Sequence, residues 1–196
     1  MAIIKKLDLY VEHKSEYLTP AKPVLVKVSP ARYLAINGRG EPGGAEFQKK
    51  LGALYNVAFT IKMAKKFAGE DYAVSKLEGL WRRNGESGPW SWTLLIRTPD
   101  FVVAKDLKAA VKALVDKGKD SEVADVEILK LKEGQAVQML HVGQYDREAP
   151  TIEAMRKFVT SQGLSFHGLH NEIYLSDPRR VAPEKLRTIL RYPVAR

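Results

Sequence analysis

The chain has 196 residues, 45% of them hydrophobic and 28% charged, which is ordinary for a soluble globular protein with a sizeable core. It has no cysteine, which excludes a disulfide frame, a thiolate nucleophile and a thiolate metal site. The net charge is +9, yet Lys and Arg are spread along the chain with no basic run interleaved with aromatics, so a solubilising surface is expected and no specific nucleic acid. No stretch approaches the length of a membrane span. Residues 1–6 lack the apolar core of a signal peptide, so a cytoplasmic setting without membrane contact is expected.

In chain order, Leu7, Leu9 and Val11 alternate with polar residues and suggest a short strand or an irregular arm within 1–22. Strands are expected at 24–28 and 32–36. The glycine-rich run 37–44 lacks the Walker Lys-Ser/Thr and the dinucleotide spacing, so it reads as a tight loop. Residues 45–68 have helical periodicity, with Phe47, Leu51, Leu54, Tyr55, Ala58, Phe59 and Ile61 on the apolar stripe and Gly69 as the stop. A strand at 71–82 follows, in which Gly79 suggests a bulge. A turn at 84–89 leads to a strand at 90–97, where Trp92, Leu94 and Ile96 share a face. A helix at 104–117, strands at 122–132 and 135–142, and a helix at 150–161 come next. Residues 168–178 read as a strand running into an Asp-Pro turn. His170, Glu172 and Tyr174 lie on one side of it, and Asn171, Ile173 and Leu175 on the other. Pro183 opens a helical turn or a loop into a strand through Leu186, Ile189 and Leu190.

The order strand, glycine turn, helix, strand occurs twice. Residues 32–38 parallel 137–143, and Lys76-Leu77-Glu78-Gly79 parallels His170-Asn171-Glu172-Ile173. The fold class expected is therefore α+β. It is a duplicated βαββ repeat with pseudo-twofold symmetry, an antiparallel sheet, helices on one side and a central ligand cleft. The chain divides into an arm at 1–22, a first half at about 23–100, a connecting helix at about 101–121 and a second half at about 122–196, all in one domain.

The run Gln138-Met139-Leu140-His141-Val142-Gly143-Gln144-Tyr145-Asp146, with Thr151-Ile152 and Glu172 through Arg180, resembles the GyrI-like small-molecule-binding family. Residues 54–62 and Leu77-Glu78-Gly79-Leu80-Trp81 agree with it, so the match runs through nearly the whole chain. It is similar to the stand-alone branch without a DNA-binding domain. The resemblance implies an aromatic-lined pocket with a Glu at its base that takes aromatic or cationic small molecules. It also implies kinship with hydrolases that open the cyclopropane ring of DNA-alkylating natural products. In that subgroup a Glu and a Tyr are the catalytic pair, and the matching positions are Glu172 and Tyr145. Two departures bear on ligand choice: Arg82 follows Trp81 where the family often has a second Trp, and Asn171 follows His170 where it often has a second His.

Tyr55, Trp81, Trp92, His170, Tyr174 and Glu78 complete the expected ligand-binding set. Glu78 is read as a structural partner for a backbone or basic group rather than a second catalytic acid. A carboxylate among aromatics is desolvated, which raises its pKa toward a general base's range. No cofactor and no metal are expected, since none of His13, His141, His167 and His170 forms a pair with helix-face ligand spacing. A sequestering module and a macromolecule-binding protein remain as alternatives to a hydrolase.

Overall fold

The computed structural model describes residues 6–83, 85 and 88–196, so the turn expected at 84–89 falls partly outside the described residues. In chain order the strands are β1 (Val24–Val28), β2 (Ala31–Arg39), β3 (Leu77–Arg83), β4 (Trp90–Thr98), β5 (Glu127–Leu131), β6 (Gly134–Val142), β7 (Ser165–Phe166), β8 (His170–Tyr174) and β9 (Arg187–Ala195). The helices are α1 (Leu9–Glu12), α2 (Ala45–Phe67), α3 (Ala104–Asp116) and α4 (Ala149–Ser161). The fold is α+β, as expected, and the ladders between these strands are antiparallel.

The chain forms two compact units that interleave along the sequence. One takes residues up to His13, Ala31–Ser75 and Arg82–Leu131; the other takes Lys14–Pro30, Lys76–Trp81 and Lys132–Arg196. In the first unit β2 pairs with both β4 and β5, and α2 packs on β2 and β4. The buried row of α2 is Ala53, Leu54, Val57, Ala58 and Ile61. Phe59, expected on that stripe, is 52% exposed, because the Tyr55–Phe59 row lies about one residue's rotation away from the Leu54–Ala58 row.

Three expectations in this unit are corrected. Leu9–Glu12 is helical rather than extended, because the Asp8 side chain caps it by accepting the Tyr10 N–H at 2.9 Å. The strand expected at 71–82 begins only at Leu77; before it, Tyr72 makes an isolated bridge to Leu7. β2 runs on through Asn37, Gly38 and Arg39, which pair with Thr93, Trp92 and Ser91, so the first three residues of the expected loop are ladder. Gly38 is needed there: a Cβ would meet the Trp92 ring at 2.0 Å.

In the second unit the hydrogen-bonded order is β1, β6, β9, β8 and β3 up to Trp81, with β7 also on β9. The C-terminal segment is thus a nine-residue strand flanked by β6 and β8, preceded by a 3-10 turn at Pro183–Lys185. α4 covers one side of this sheet. Met155 and Val159 pack with Val137, Leu190 and Val194 in a fully buried cluster. Each such side chain contributes on the order of 1.5–3 kcal/mol by leaving water.

Candidate functional site

The register of β8 decides which side chains meet. Residues directly opposite in an antiparallel pair project to the same face. Glu172 lies opposite Gly79 on β3 and Leu190 on β9, and His170 lies opposite Trp81. Trp81, His170, Glu172 and Tyr174 therefore share the face on which α4 packs. The register is unbroken from Glu78 to Trp81, so Gly79 is not a bulge. Its role is steric: a Cβ there would stand 2.7 Å from Trp81 Nε1 and 3.1 Å from the Tyr174 hydroxyl.

A hydrogen-bond relay ends on Glu172. Trp81 Nε1 donates to the Tyr174 hydroxyl at 2.9 Å, and that hydroxyl donates to Glu172 Oε2 at 2.8 Å. Burial raises the Glu172 pKa, opposed in part by the Tyr174 hydrogen bond. His170 Nδ1 lies 3.9 Å from Glu172 Oε1, too far for a hydrogen bond, and burial pushes the His170 pKa down to about 4, so the ring is neutral. The His170 ring stacks on Tyr192 at 4.4 Å, Tyr192 on Phe166 at 4.2 Å, and the Arg156 guanidinium caps Phe166 at 5.0 Å. This column holds the imidazole flat beside the carboxylate.

Tyr145 opens a 3-10 turn (Tyr145–Arg147) between β6 and α4. Its ring meets the Tyr174 ring edge-on at 5.6 Å. The side chain is 39% exposed. Burial first, then the charge on Glu172, raises its pKa, so the hydroxyl keeps its proton at neutral pH. His141 fixes this turn. Its Nε2 lies 3.1 Å from the Gln144 carbonyl, which can only accept, so Nε2 carries a hydrogen, and its Nδ1 is hydrogen-bonded with the Thr151 hydroxyl at 3.0 Å. Gly143 makes the bend with φ +138 and donates its N–H to Leu186 O.

The sequence reading missed Glu148. It occupies the N-cap of α4, is 6% exposed and makes no side-chain capping bond. One donor atom each of Glu148, His170 and Glu172 lies within 4.8 Å of the others. Burial, then the charge of Glu172, raises the Glu148 pKa further than that of Glu172. A cation of any kind would have to displace the proton this burial retains.

The opposite face of the same strands holds a buried polar network beside Leu80, Ile173 and Ile189. Asn171 Nδ2 donates to Glu78 Oε2 at 3.0 Å and to Glu133 Oε1 at 3.2 Å, and the Tyr17 hydroxyl reaches Glu78 Oε1 at 3.4 Å. Arg191 donates to Gln138 at 3.0 Å, to Glu133 at 2.9 Å and to the Glu16 carbonyl. Glu78 therefore stands with this buried network, on the other side of the sheet from Glu172. Tyr55 and Trp92 belong to the first unit. Tyr55 is half-buried and stacks on Phe59 at 6.1 Å; Trp92 is buried, with Phe47 edge-on at 5.1 Å.

A desolvated carboxylate facing aromatic rings on an antiparallel sheet is the setting of a small-molecule-binding module. The model of the GyrI-like small molecule binding domain matches residues 21–195, and the chain belongs to that family. Two solved structures from Listeria innocua are similar over 97% of this chain and all of theirs. One protein is described as a hydrolase (37% identity, TM-score 0.88) and the other as an uncharacterized conserved protein (38%, 0.91). The EcmrR C-terminal domain shares the fold at 11% identity, with a TM-score of 0.62 over 89% of this chain and 98% of its own. No protein of curated function matches the chain. No helix among the described residues is long and apolar enough to cross a membrane.

Proposed function

We propose that the chain binds an aromatic, electrophilic small molecule against the Glu172 face of the second unit and adds water to it, opening a strained ring such as a cyclopropane. The observation that carries this reading is the buried Glu172 carboxylate, oriented by Tyr174 and bordered by the half-exposed Tyr145. The likeness to a Listeria innocua protein described as a hydrolase supports it.

In the proposed step Glu172 takes a proton from water as the water oxygen bonds to a ring carbon. The ring C–C bond breaks, and its electron pair moves onto the electron-withdrawing group of the substrate, where the Tyr145 hydroxyl donates its proton. Solvent then carries the proton from Glu172 back to Tyr145, so one water is added in total. Glu172 is dry enough to be basic, and Tyr145 keeps its proton near neutrality.

The test is a turnover screen with activated cyclopropanes. Glu172→Gln keeps the shape but removes the base, and should slow turnover about a hundred- to ten-thousand-fold while neutral-ligand affinity stays nearly unchanged. Equal turnover by this variant refutes the catalytic assignment. If the wild type only binds such compounds, the protein is a sequestering receptor, and Glu172 serves ligand recognition alone.

A further inference from the structure

Glu148 is the one buried acid on the α4 face of the second unit to which the reaction above assigns no role. Its position is set by the chain: the turn locked by His141 delivers it to the start of α4, and Pro150 fixes the first helical turn behind it. Its side chain is buried, yet Oε1 has no hydrogen-bond partner among the described residues; His170 Nε2 has none either. An orphaned carboxyl oxygen in a dry site is unfavourable unless the group is neutral or a ligand completes it. Glu172 is the other carboxyl within 4.8 Å.

We propose that Glu148 and Glu172 form a carboxyl pair that shares one proton, Glu148 as the acid and Glu172 as the carboxylate. The geometry also says which ligand group the pair fits. Glu148 presents an O–H donor and Glu172 an acceptor, both buried and within 4.8 Å of each other. The complement is a neutral group with an N–H beside a C=O, such as an amide or lactam.

The groups facing the pair support the assignment. His170 is neutral, and Tyr145, Tyr174 and Tyr192 all have raised pKa values and keep their protons. Arg156 stands at the far end of the ring column, over Phe166, and Asp177 is engaged by Arg179 and Arg180. The charge that acts on Glu148 is that of Glu172. Two carboxylates this close in a low dielectric do not both ionise near neutrality.

The pair goes beyond the hydrolytic reading, and its test is made on the ligand-free full chain, so it stands or falls apart from turnover. Carboxyl-labelled glutamate is followed by 13C NMR from acid to alkaline pH. The expected result is that Glu148 is protonated at pH 7 in the wild type, and that Glu172→Gln makes its proton binding about tenfold weaker or more. As a second measurement, the carboxylic-acid C=O band of the wild type at pH 8, above the Glu172 pKa of about 7 and below the Glu148 pKa of about 9, should largely disappear in Glu148→Gln; this comparison does not depend on the Glu172 variant folding. Glu148 ionised at pH 7, or a Glu148 titration indifferent to Glu172→Gln, overturns the proposal. So does stoichiometric, tight binding of Zn2+ or Mn2+ that His170→Ala abolishes, because the cluster would then be a cation site.

Discussion

Tyr174 sits between two buried polar groups, the Trp81 indole N–H and the Glu172 carboxylate. Its hydroxyl accepts the Trp81 N–H and donates to Glu172. Replacing it with Phe removes both bonds. Each buried hydrogen bond contributes about 0.5–1.5 kcal/mol, so losing both should lower stability by about 1–3 kcal/mol in chemical denaturation. The same change removes the hydrogen bond that holds the Glu172 pKa down, so the acid limb of any Glu172-dependent binding or rate profile should move to higher pH. An unmoved limb would show that the hydroxyl does not act on the carboxylate. His170, Glu172 and Tyr174 were legible in the sequence because a period of two sorts a strand without knowledge of its neighbours. Glu148 was not legible. It is brought to Glu172 by a turn and the start of a helix, and the local signal there, Pro150, marks only where the helix begins.

Pairing between elements settles what the internal repeat left open. The repeat matches Glu78 to Glu172 but does not say which face of the sheet either carboxylate takes. The β3–β8 register instead sets Glu78 opposite Ile173 and Glu172 opposite Gly79, one carboxylate per face. No reading of either strand alone contains that offset, because register is a property of the pair. The helical stripe of α2 was legible as a stripe but not in its rotation, which is why Phe59 lies outside the buried row. Gly79 gives a test at this scale. Gly79→Ala places a methyl against Trp81 Nε1, so either the indole or the Tyr174 ring must move. The expected outcome is a shifted Trp fluorescence spectrum and weakened ligand binding, with the far-ultraviolet circular dichroism unchanged. Wild-type affinity in this variant would mean that the Trp81–Tyr174 bond is not part of the ligand site.

Over the whole molecule, the buried titrating groups set the pH range of stability. Glu148 and Glu172 have raised pKa values, so the folded chain keeps protons that the unfolded chain releases from about 4.5 upward. Stability therefore falls as pH rises from that value past neutrality. His170 acts in the opposite sense: its pKa is lowered from 6.5 to about 4, so stability is lost as pH falls through that window. The melting temperature should peak on the weakly acidic side, and Glu148→Gln should flatten the alkaline limb. A wild-type alkaline limb reproduced unchanged by this variant would exclude Glu148 as its source. The place of β9 has a further consequence, for how the chain is made. It leaves the ribosome after β6 and β8, yet it is the strand that both of them pair with. Until it arrives, β6 and β8 each present an open edge. Trp81 and Tyr174 are 93 residues apart, and Arg191 reaches back 175 residues to Glu16. Closing such distant contacts is slow. The emerging chain thus passes through a stage with sticky edges and no finished sheet, and removal of residues 187–196 would hold it there.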